Sequence, residues 1–212
     1  MRALLMLTTV ALIAGSAATR AAGPTPRTEP IKIVAFGDSL TSGHLLPRRE
    51  AYPAQLEAAL RAEGWQATVV NQGVSGETSA GGVRRLDAAL AERPQILIVG
   101  FGANDGLRGV PVAQVRSNLE RIISAAQARG IAVLLCGMEA LPLYGWQYTI
   151  DFHNLWPALA EKFQVPFVPF MLNGVIGNPD LMSSDGVHPN AAGAKIIAAN
   201  ILPYVEAMAN AK

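Results

Sequence analysis

The sequence predicts an α/β fold in which a five-stranded parallel sheet lies between two layers of helices. Five short apolar runs, typical of strands covered on both faces, alternate along the chain with amphipathic helical patterns. Glycine or unusual polar residues follow four of these runs, and open parallel sheets bind ligands beyond the carboxyl ends of their strands. The strands are predicted over residues 31–36, 68–71, 96–101, 131–136 and 165–170.

The intervals between the strands carry helical patterns. Pro53 suits the first turn of one helix, and Val112, Leu119 and Ala126 share one face of another. Pro203 is expected to perturb the last helix. The predicted helices cover residues 53–63, a segment after Ser79 that includes Val83 and Leu90, 112–126, 150–162 and 191–204, with loops over 37–50 and 137–148.

The N-terminal segment differs in composition from the rest of the chain. A basic start precedes an apolar stretch over residues 3–14 and then small residues, which is the order of a secretory signal peptide. The stretch is shorter than the ~20 residues that a membrane span needs. We predict a signal peptide over 1–22, a flexible lead-in over 23–30 and one domain over 31–212. The product would be periplasmic or secreted, without a stable membrane anchor; an uncleaved anchor is the alternative.

Charge and cysteine content exclude several classes of function. The 212 residues carry a net charge of +1 with no long basic or acidic run, which argues against nucleic acid as a partner. The single cysteine, Cys136, excludes an internal disulfide and a zinc site built on several cysteines. Because Cys136 ends an apolar run, we expect its thiol to be buried and inert.

A serine stands where the first predicted strand ends. Ser39 follows Gly37 and Asp38 directly after the apolar run 31–36, which puts it at the edge of the sheet where ligands bind. A serine hydroxyl acts as a nucleophile only with a base, a group that orients the base, and donors for the oxyanion. A capping or turn serine is the alternative interpretation.

A histidine with a nearby carboxylate supplies the candidate base. His188 follows Asp185 by three residues, and Gly186 allows a sharp bend between them. Asp185 is predicted to hold the imidazole while the far nitrogen faces the serine. Metal binding is the competing use of the pair, but further ligands are not evident in the sequence. His153 is expected in a helix, and His44 in the loop after the serine, where it would line a substrate cleft.

Three donors are candidates for the oxyanion hole. The N–H groups of Ser39 and Gly76 and the side-chain amide of Asn104 follow three different predicted strands, and preorganised donors stabilise the negative oxygen of acyl transfer. Taken alone, Gly76 and Asn104 fit turn residues better. Their expected convergence with Ser39 and with the Asp185–His188 pair favours catalysis.

Four blocks of the sequence together resemble the SGNH (GDSL) hydrolase superfamily, whose marker residues are Ser, Gly, Asn and His. The blocks cover Gly37–Leu40, Gly73–Thr78, Gly102–Asp105 and Asp185–Asn190. The similarity extends over residues 31–204, and segments 43–45 and 104–109 look like the branch that contains bacterial thioesterase I, lysophospholipase and arylesterase.

The resemblance implies a flavodoxin-like sandwich and a serine hydrolase mechanism. It implies Ser39 as nucleophile, His188 as general base and then acid, and Asp185 as the residue that orients the imidazole, with Ser39, Gly76 and Asn104 as oxyanion donors. It implies no metal and no organic cofactor. The implied substrates are small acyl esters, aryl esters, acyl thioesters and lysophospholipids, and we expect a monomer.

Apolar residues in the predicted loops indicate where an acyl chain would bind. Leu45, Leu107, Leu143 and Tyr144 follow three strands at the predicted site edge, so we expect them to line an acyl groove. Packing of these side chains onto the sheet is the alternative. Phe101 stands where the family resemblance predicts an acidic or polar residue, a departure that would bear on the acyl pocket rather than on the catalytic parts.

Two other functions are compatible with the sequence. A carbohydrate O-acetylesterase would use the same fold and the same residues, and turnover of acetylated sugars would identify it. A binding module without catalysis is disfavoured, because every part of the catalytic set is present.

Overall fold

Five parallel strands form the sheet in the computed structural model, which describes residues 27–211. The strands are β1 (Arg27–Gly37), β2 (Trp65–Gly73), β3 (Ile96–Gly100), β4 (Ala132–Cys136) and β5 (Phe167–Val168). They lie in the order β2-β1-β3-β4-β5, and all neighbours pair in parallel, as in flavodoxin-like folds. The predicted fold class is confirmed, and the predicted signal peptide lies outside the described residues.

Helices cover both faces of the sheet. They are α1 (Ser39–Ser42), α2 (Tyr52–Ala62), α3 (Ser79–Ala91), α4 (Ala103–Leu107), α5 (Val112–Gln127), α6 (Trp146–Phe163) and α7 (Ala191–Asn210), with 3₁₀ turns over Arg48–Glu50, Pro142–Tyr144 and Pro179–Leu181. Helices α2 and α7 pack together in one layer, and α5 packs against α3 and α6 in the other. Between residues 27 and 211, no helix is long and apolar enough to cross a membrane.

The central strands are apolar because both of their faces are covered. Residues 33–36 of β1 and 96–99 of β3 are fully buried, as expected in a parallel sheet. Leu56 of α2 and Leu119 of α5 belong to the same core. Full burial of each such side chain contributes about 1.5–3 kcal/mol to stability. The middle of the sheet is therefore a stable support for the loops at the carboxyl ends of its strands.

Three strands differ in length from the predictions by more than one residue. Strand β2 extends beyond the predicted residues 68–71 in both directions. Strand β1 begins at Arg27, within the predicted lead-in, and its pairing with β2 is irregular between Arg27 and Ile31. Strand β5 has only two residues, because Pro166 and Pro169 flank it and cannot donate to a ladder.

The helices also differ from the predictions at several points. Helix α1 lies in a segment predicted as a loop, and α4 lies after the third predicted strand, where no helix was predicted. A helix of one turn leaves no periodic apolar pattern. Helix α6 begins at Trp146, before the predicted start at residue 150. Helix α7 continues through Pro203 to Asn210, so its predicted end at residue 204 is wrong.

Three neighbouring strands end in glycine at the same level of the sheet. Gly37 of β1 pairs with Gly73 of β2 on one side and with Gly100 of β3 on the other. A Cβ on Gly73 would overlap the backbone of Ser42. The missing side chains let α1 lie directly on the edge of the sheet, and this fixes the position of Ser39.

Candidate active site

Ser39 lies at the start of α1, where β1 turns into the helix. Asp38 caps the helix, since its carboxylate accepts a 3.0 Å hydrogen bond from the N–H of Leu40. Gly43 ends the helix in the left-handed conformation. Ser39 is only 7% exposed. The turn is held at both ends, and the serine hydroxyl therefore has a defined position.

A line of hydrogen bonds joins Ser39 to His188 and Asp185. The Oγ of Ser39 lies 3.0 Å from Nε2 of His188, although 149 residues separate the two in sequence. Nδ1 of His188 lies 2.6 Å from Oδ2 of Asp185. An ionised carboxylate accepts a hydrogen bond from the Nδ1–H, so that Nε2 is unprotonated and can accept a hydrogen bond from the serine hydroxyl. The structure thus brings together the three residues singled out in the sequence.

The loop over residues 183–190, here called the base loop, carries Asp185 and His188. A short antiparallel bridge between Met182 and Pro189 closes the loop. Asn190 ties it to α7, whose first N–H groups donate to the Asn190 side chain. His188, the predicted base, is therefore positioned by a small surface loop anchored to one helix.

Asp185 accepts three hydrogen bonds within the base loop. The N–H groups of Val187 and His188 both donate to Oδ1 at 3.0 Å, and the imidazole of His188 contacts Oδ2. These bonds, with that from the His188 N–H first, hold the pKa of Asp185 well below its usual range. Asp185 therefore stays ionised in mildly acidic solution, as a residue that stabilises an imidazolium must.

The predicted oxyanion donors lie near α1. Asn104 lines the same cavity as Ser39, and one N–H of its amide donates to the carbonyl of Glu77 at 3.0 Å, which orients the amide. Gly76, at φ +78°, follows Ser75, whose hydroxyl contacts α1. Within residues 27–211, the N–H groups of Ser39 and Gly76 make no hydrogen bond. The N–H of Ser39 is therefore available to a substrate oxygen in the cavity, whereas Gly76 is not among the residues that line it.

Two buried carboxyl groups lie near the site and are absent from the predicted site residues. Asp105 accepts hydrogen bonds from the N–H and hydroxyl of Ser79 at 2.8 and 2.6 Å, which ties α4 to α3. One oxygen of Asp38 has no hydrogen-bond partner among the described residues. Burial raises the pKa of Asp105, and it raises the pKa of Asp38 to about 7. Asp38 is therefore partly protonated at neutral pH.

His44 lies closer to His188 than the sequence indicates. Its ring centre is 4.6 Å from that of His188. Its Nδ1 lies 3.3 Å from the hydroxyl of Ser75, which contacts the hydroxyl of Ser42 at 2.9 Å. The only sequence signal for this contact is that His44 follows Ser39 in the same loop.

One group of side chains offers the donor atoms of a metal site. Among residues 27–211, His44, Asp185 and His188 each bring one ligand atom within 4.8 Å of the others. Both ring nitrogens of His188 already take part in hydrogen bonds, so a metal ion would have to replace one of them. His153 lies on α6 and contacts Glu139 at 2.8 Å instead.

Arg85 was not singled out in the sequence, yet it joins the ends of two strands to the loop after β2. Its guanidinium donates to the carbonyls of Gly37 at 2.8 Å and Gln72 at 2.7 Å, and it pairs with Glu77. The ring of Phe36 lies 4.4 Å from the guanidinium carbon. Arg85 thus holds the carboxyl ends of β1 and β2 together. Helical periodicity in the sequence gives no signal for such contacts.

Phe101 belongs to the core and not to the cavity beside the serine. It is fully buried, and its ring meets that of Phe36 edge-on at 5.0 Å. It also fills the space above Gly82, where a Cβ would collide with the ring. The expectation that Phe101 bears on the acyl pocket is therefore wrong.

An apolar cavity of about 280 Å³ opens beside Ser39 and His188. Leu107 and Leu143 line it, as expected for residues of an acyl groove. Further apolar side chains in its wall are Met138, Leu141, Leu172 and Ile176. The cavity can hold a hydrocarbon group next to the serine hydroxyl, which suits attack on a carbonyl attached to that group.

The other two residues predicted to bind substrate, Leu45 and Tyr144, lie outside the cavity. Leu45 is 58% exposed at φ 66°, because the chain turns away from the site after α1. The hydroxyl of Tyr144 donates to the carbonyl of Leu107 at 3.0 Å. Tyr144 therefore supports the loop that carries Leu107 and does not form the wall itself.

The chain is similar to known ester hydrolases over most of its length. Residues 35–196 match the model of the GDSL-like Lipase/Acylhydrolase family. An arylesterase of Vibrio mimicus is 38% identical over 159 residues, 74% of this chain and 80% of the relative. The thioesterase 1/protease 1/lysophospholipase L1 of Escherichia coli is 36% identical over 161 residues, 74% and 75% of the two chains. The crystal structure of TesA matches with a TM-score of 0.79 at 37% identity, covering 84% of this chain and 99% of the other.

Proposed function

Because the chain belongs to the GDSL-like lipase/acylhydrolase family, we propose that it cleaves carboxylic esters or thioesters through a Ser39–His188–Asp185 triad. Its relatives are an arylesterase and a thioesterase/lysophospholipase, and the chain is an ester-acting serine hydrolase like them. The observation that carries the triad is the pair of hydrogen bonds, 3.0 Å from Ser39 to His188 and 2.6 Å from His188 to Asp185.

In the first half-reaction, the hydroxyl of Ser39 attacks the carbonyl carbon of the substrate. Nε2 of His188 takes the serine proton and then gives it to the leaving alcohol or thiol. Asp185 remains ionised and stabilises the imidazolium. The N–H groups of Ser39 and Gly76 and the amide of Asn104 bind the oxyanion. The product of this step is an acyl-enzyme on Ser39.

In the second half-reaction, water replaces the leaving group. His188 takes a proton from the water, which attacks the acyl carbon, and then returns the proton to Ser39 as the acid departs. The apolar cavity holds the acyl chain through both steps, with Leu107 and Leu143 in its wall.

We expect the cavity to accept acyl chains of several lengths. Each methylene that finds a contact contributes about 0.8 kcal/mol, and an apolar wall separates neighbouring lengths by only about 10–200-fold. A series of p-nitrophenyl esters from acetyl to palmitoyl measures this breadth. Turnover confined to acetyl esters, with rapid release of acetate from acetylated xylose, would instead support a carbohydrate O-acetylesterase.

Covalent labelling tests the proposal. An activated serine reacts with an organophosphonate, so the unmodified chain should gain one phosphonate, located at Ser39 by mass spectrometry. Ser39→Ala should abolish both labelling and ester turnover. Ser124→Ala on the exposed side of α5 is the matched control and should keep both. Labelling that persists in Ser39→Ala would overturn the assignment of the nucleophile.

The proposal includes export of a monomeric enzyme. The signal-like pattern over residues 1–22 supports a periplasmic or secreted location. N-terminal sequencing of protein from the cell envelope and the culture medium, with sedimentation of the purified product, tests both parts. A mature chain that retains Met1 would contradict export by signal cleavage.

A further inference from the structure

His44 lies beside the proposed triad but takes no step in the proposed mechanism. Its ring centre is 4.6 Å from that of His188, and the two rings are inclined by 57°. The side chains of His44 and Asp185 are exposed, and His188 is partly buried. Two imidazoles and a carboxylate therefore meet at a position that an ion from solvent can reach. These groups are the ligands that zinc binds in proteins.

Both the backbone and the ring of His44 are held in place. Its N–H donates to the carbonyl of Ser39 at 3.1 Å, which ties the residue to the end of α1. Its Nδ1 lies 3.3 Å from the hydroxyl of Ser75, and within residues 27–211 its Nε2 has no hydrogen-bond partner. With the ring proton on Nδ1, His44 donates to that hydroxyl and keeps a lone pair on Nε2. A histidine that binds a metal ion commonly donates its other ring N–H in this way.

The ligand atoms are close enough to bind one zinc ion. One atom from each of His44, Asp185 and His188 lies within 4.8 Å of the others. Zinc binds nitrogen and oxygen ligands at about 2.0–2.2 Å, so two ligand atoms of a tetrahedral site are about 3.4 Å apart. Each pair must therefore approach by no more than about 1.4 Å, the difference between 4.8 and 3.4 Å. A water molecule would take the fourth position, as in zinc sites with three protein ligands.

We propose that His44, His188 and Asp185 form an inhibitory Zn²⁺ site. Two imidazole nitrogens and one carboxylate oxygen suit Zn²⁺, whereas Mg²⁺ and Ca²⁺ prefer ligand sets made of oxygen. The ligand set stands on the geometry of the three side chains. The inhibition rests on the proposed esterase function, because it requires that His188 is the base.

Zinc blocks the base whichever ring nitrogen of His188 it binds. At Nε2, the ion displaces the hydroxyl of Ser39, which lies 3.0 Å away. At Nδ1, the ion enters between His188 and Asp185, whose facing atoms are 2.6 Å apart, and the ring proton lies on Nε2 instead. In both cases Nε2 has no lone pair with which to take the serine proton. The bound ion therefore holds the enzyme inactive, and its removal restores activity.

NMR spectra of the imidazole rings test the ligands without any need for turnover. The chain has three histidines, so long-range proton–nitrogen spectra contain three rings, and single substitutions assign them. One equivalent of Zn²⁺ should shift the nitrogen resonances of His44 and His188. The resonances of His153, which contacts Glu139, should stay in place, and Mg²⁺ should shift none of them. Zinc shifts at His153 without shifts at His44, or no shifts at all, would overturn the site.

Inhibition kinetics test the consequence for the base. Hydrolysis of p-nitrophenyl butyrate by the unmodified enzyme should fall to the background rate at saturating Zn²⁺ and recover when EDTA is added. His44→Gln should raise the zinc concentration that halves its own zinc-free rate by about tenfold or more. Loss of a ligand should cost at least as much as loss of a ligand's hydrogen-bond partner, which weakens metal binding by about 10–100-fold.

His153→Gln is the matched control, because it removes the third histidine and leaves the proposed ligands in place. It should be as sensitive to zinc as the unmodified enzyme. Equal sensitivity in His44→Gln and the unmodified enzyme, or zinc binding without inhibition, would overturn the proposal. Absence of butyrate hydrolysis before zinc is added would instead overturn the esterase function, and the NMR titration would still decide whether His44 and His188 bind zinc.

Discussion

Ser39 and His188, the proposed nucleophile and base, are held by two different kinds of structure. The turn over residues 37–43 is packed on the sheet, with Asp38 and Thr41 fully buried. The base loop lies on the surface, and residues 184–187 are exposed. The position of Ser39 depends on packing against the core and on the glycines that end three strands. The position of His188 depends on a few local hydrogen bonds. Mutations in the packed turn should therefore affect stability strongly, and mutations in the base loop should affect activity more than stability.

The largest effect is expected from Asp185→Asn in the base loop. Asparagine keeps an oxygen for the N–H groups of Val187 and His188. Its NH2 group then faces Nδ1 of His188 and cannot accept a hydrogen bond from it, so the imidazole takes the wrong tautomer. We expect kcat to fall by about 10³–10⁴-fold, as for the same change in other serine triads. The midpoint of urea unfolding should stay nearly unchanged, because the carboxylate is exposed. A clear shift of the midpoint would show that the base loop is packed like the nucleophile turn.

The second prediction concerns the packed turn, where Asp38→Asn should change how stability depends on pH. The folded-state pKa of Asp38 is raised to about 7 by burial, above its value in the unfolded chain. The folded state therefore binds more protons between pH 4 and 7, and its free energy of unfolding falls as pH rises through this window. Ionisation of Asp38 should lower the free energy of unfolding of the unmodified protein by about 4 kcal/mol over this window. Asp38→Asn should not show this decrease.

Urea unfolding of both proteins between pH 4 and pH 8 measures the difference. Asp87→Asn, which changes an exposed carboxylate on α3, is the control and should follow the unmodified protein. Parallel curves for the unmodified protein and Asp38→Asn would mean that the Asp38 carboxyl is not destabilised by burial.

The third prediction concerns Asn104, which lines the same cavity as Ser39 of the packed turn and His188 of the base loop. Asn104→Ala should lower kcat by about 10²–10³-fold with little change in KM, since its amide acts on the oxyanion only in the transition state. Steady-state kinetics with a p-nitrophenyl ester measure both constants. Asn173→Ala, an exposed asparagine in the loop after β5, should leave kcat unchanged. A normal kcat in Asn104→Ala would exclude its amide from the oxyanion hole.

The smallest effects come from a pair of glycine substitutions that compare the two regions directly. Gly73→Ala should cost about 3 kcal/mol of stability, because the new Cβ would overlap the backbone of Ser42. Gly186→Ala in the base loop should cost only about 1 kcal/mol. Its φ of +69° disfavours alanine, but no atom stands within 4 Å of the new Cβ. Urea denaturation measures the loss of stability in each variant. Equal losses would show that the base loop is packed as tightly as the turn that carries Ser39.

The two regions also differ in what the sequence can predict. The Asp185–His188 pair lies within one short segment, so its spacing is visible in the chain, and Ser39 is marked by the strand that precedes it. The partly protonated state of Asp38 and the hydrogen bonds of Arg85 depend on residues distant in sequence. The contact between His44 and His188 likewise follows from tertiary packing, which leaves no periodic pattern.

The residues that line the cavity were also only partly predictable from the sequence. Leu45 and Leu143 are both apolar loop residues at the predicted edge, and both are exposed, yet only Leu143 lines the cavity. The path of each loop decides this, and the sequence does not reveal the short α1 that turns Leu45 away. Strands and long helices were predictable because burial on both faces leaves a continuous apolar run in each strand, and burial of one face leaves a helical period in each long helix.

Cys136 makes this chain convenient for chemical labelling. It is the only cysteine in the 212 residues, it is fully buried at the end of β4, and burial raises its pKa to about 12. Thiols react as thiolates, so the folded protein presents no reactive sulfur near neutral pH. A cysteine introduced by Gln147→Cys, at an exposed position in α6, would be the single site for a maleimide fluorophore or a spin label, with no need to remove a native thiol first.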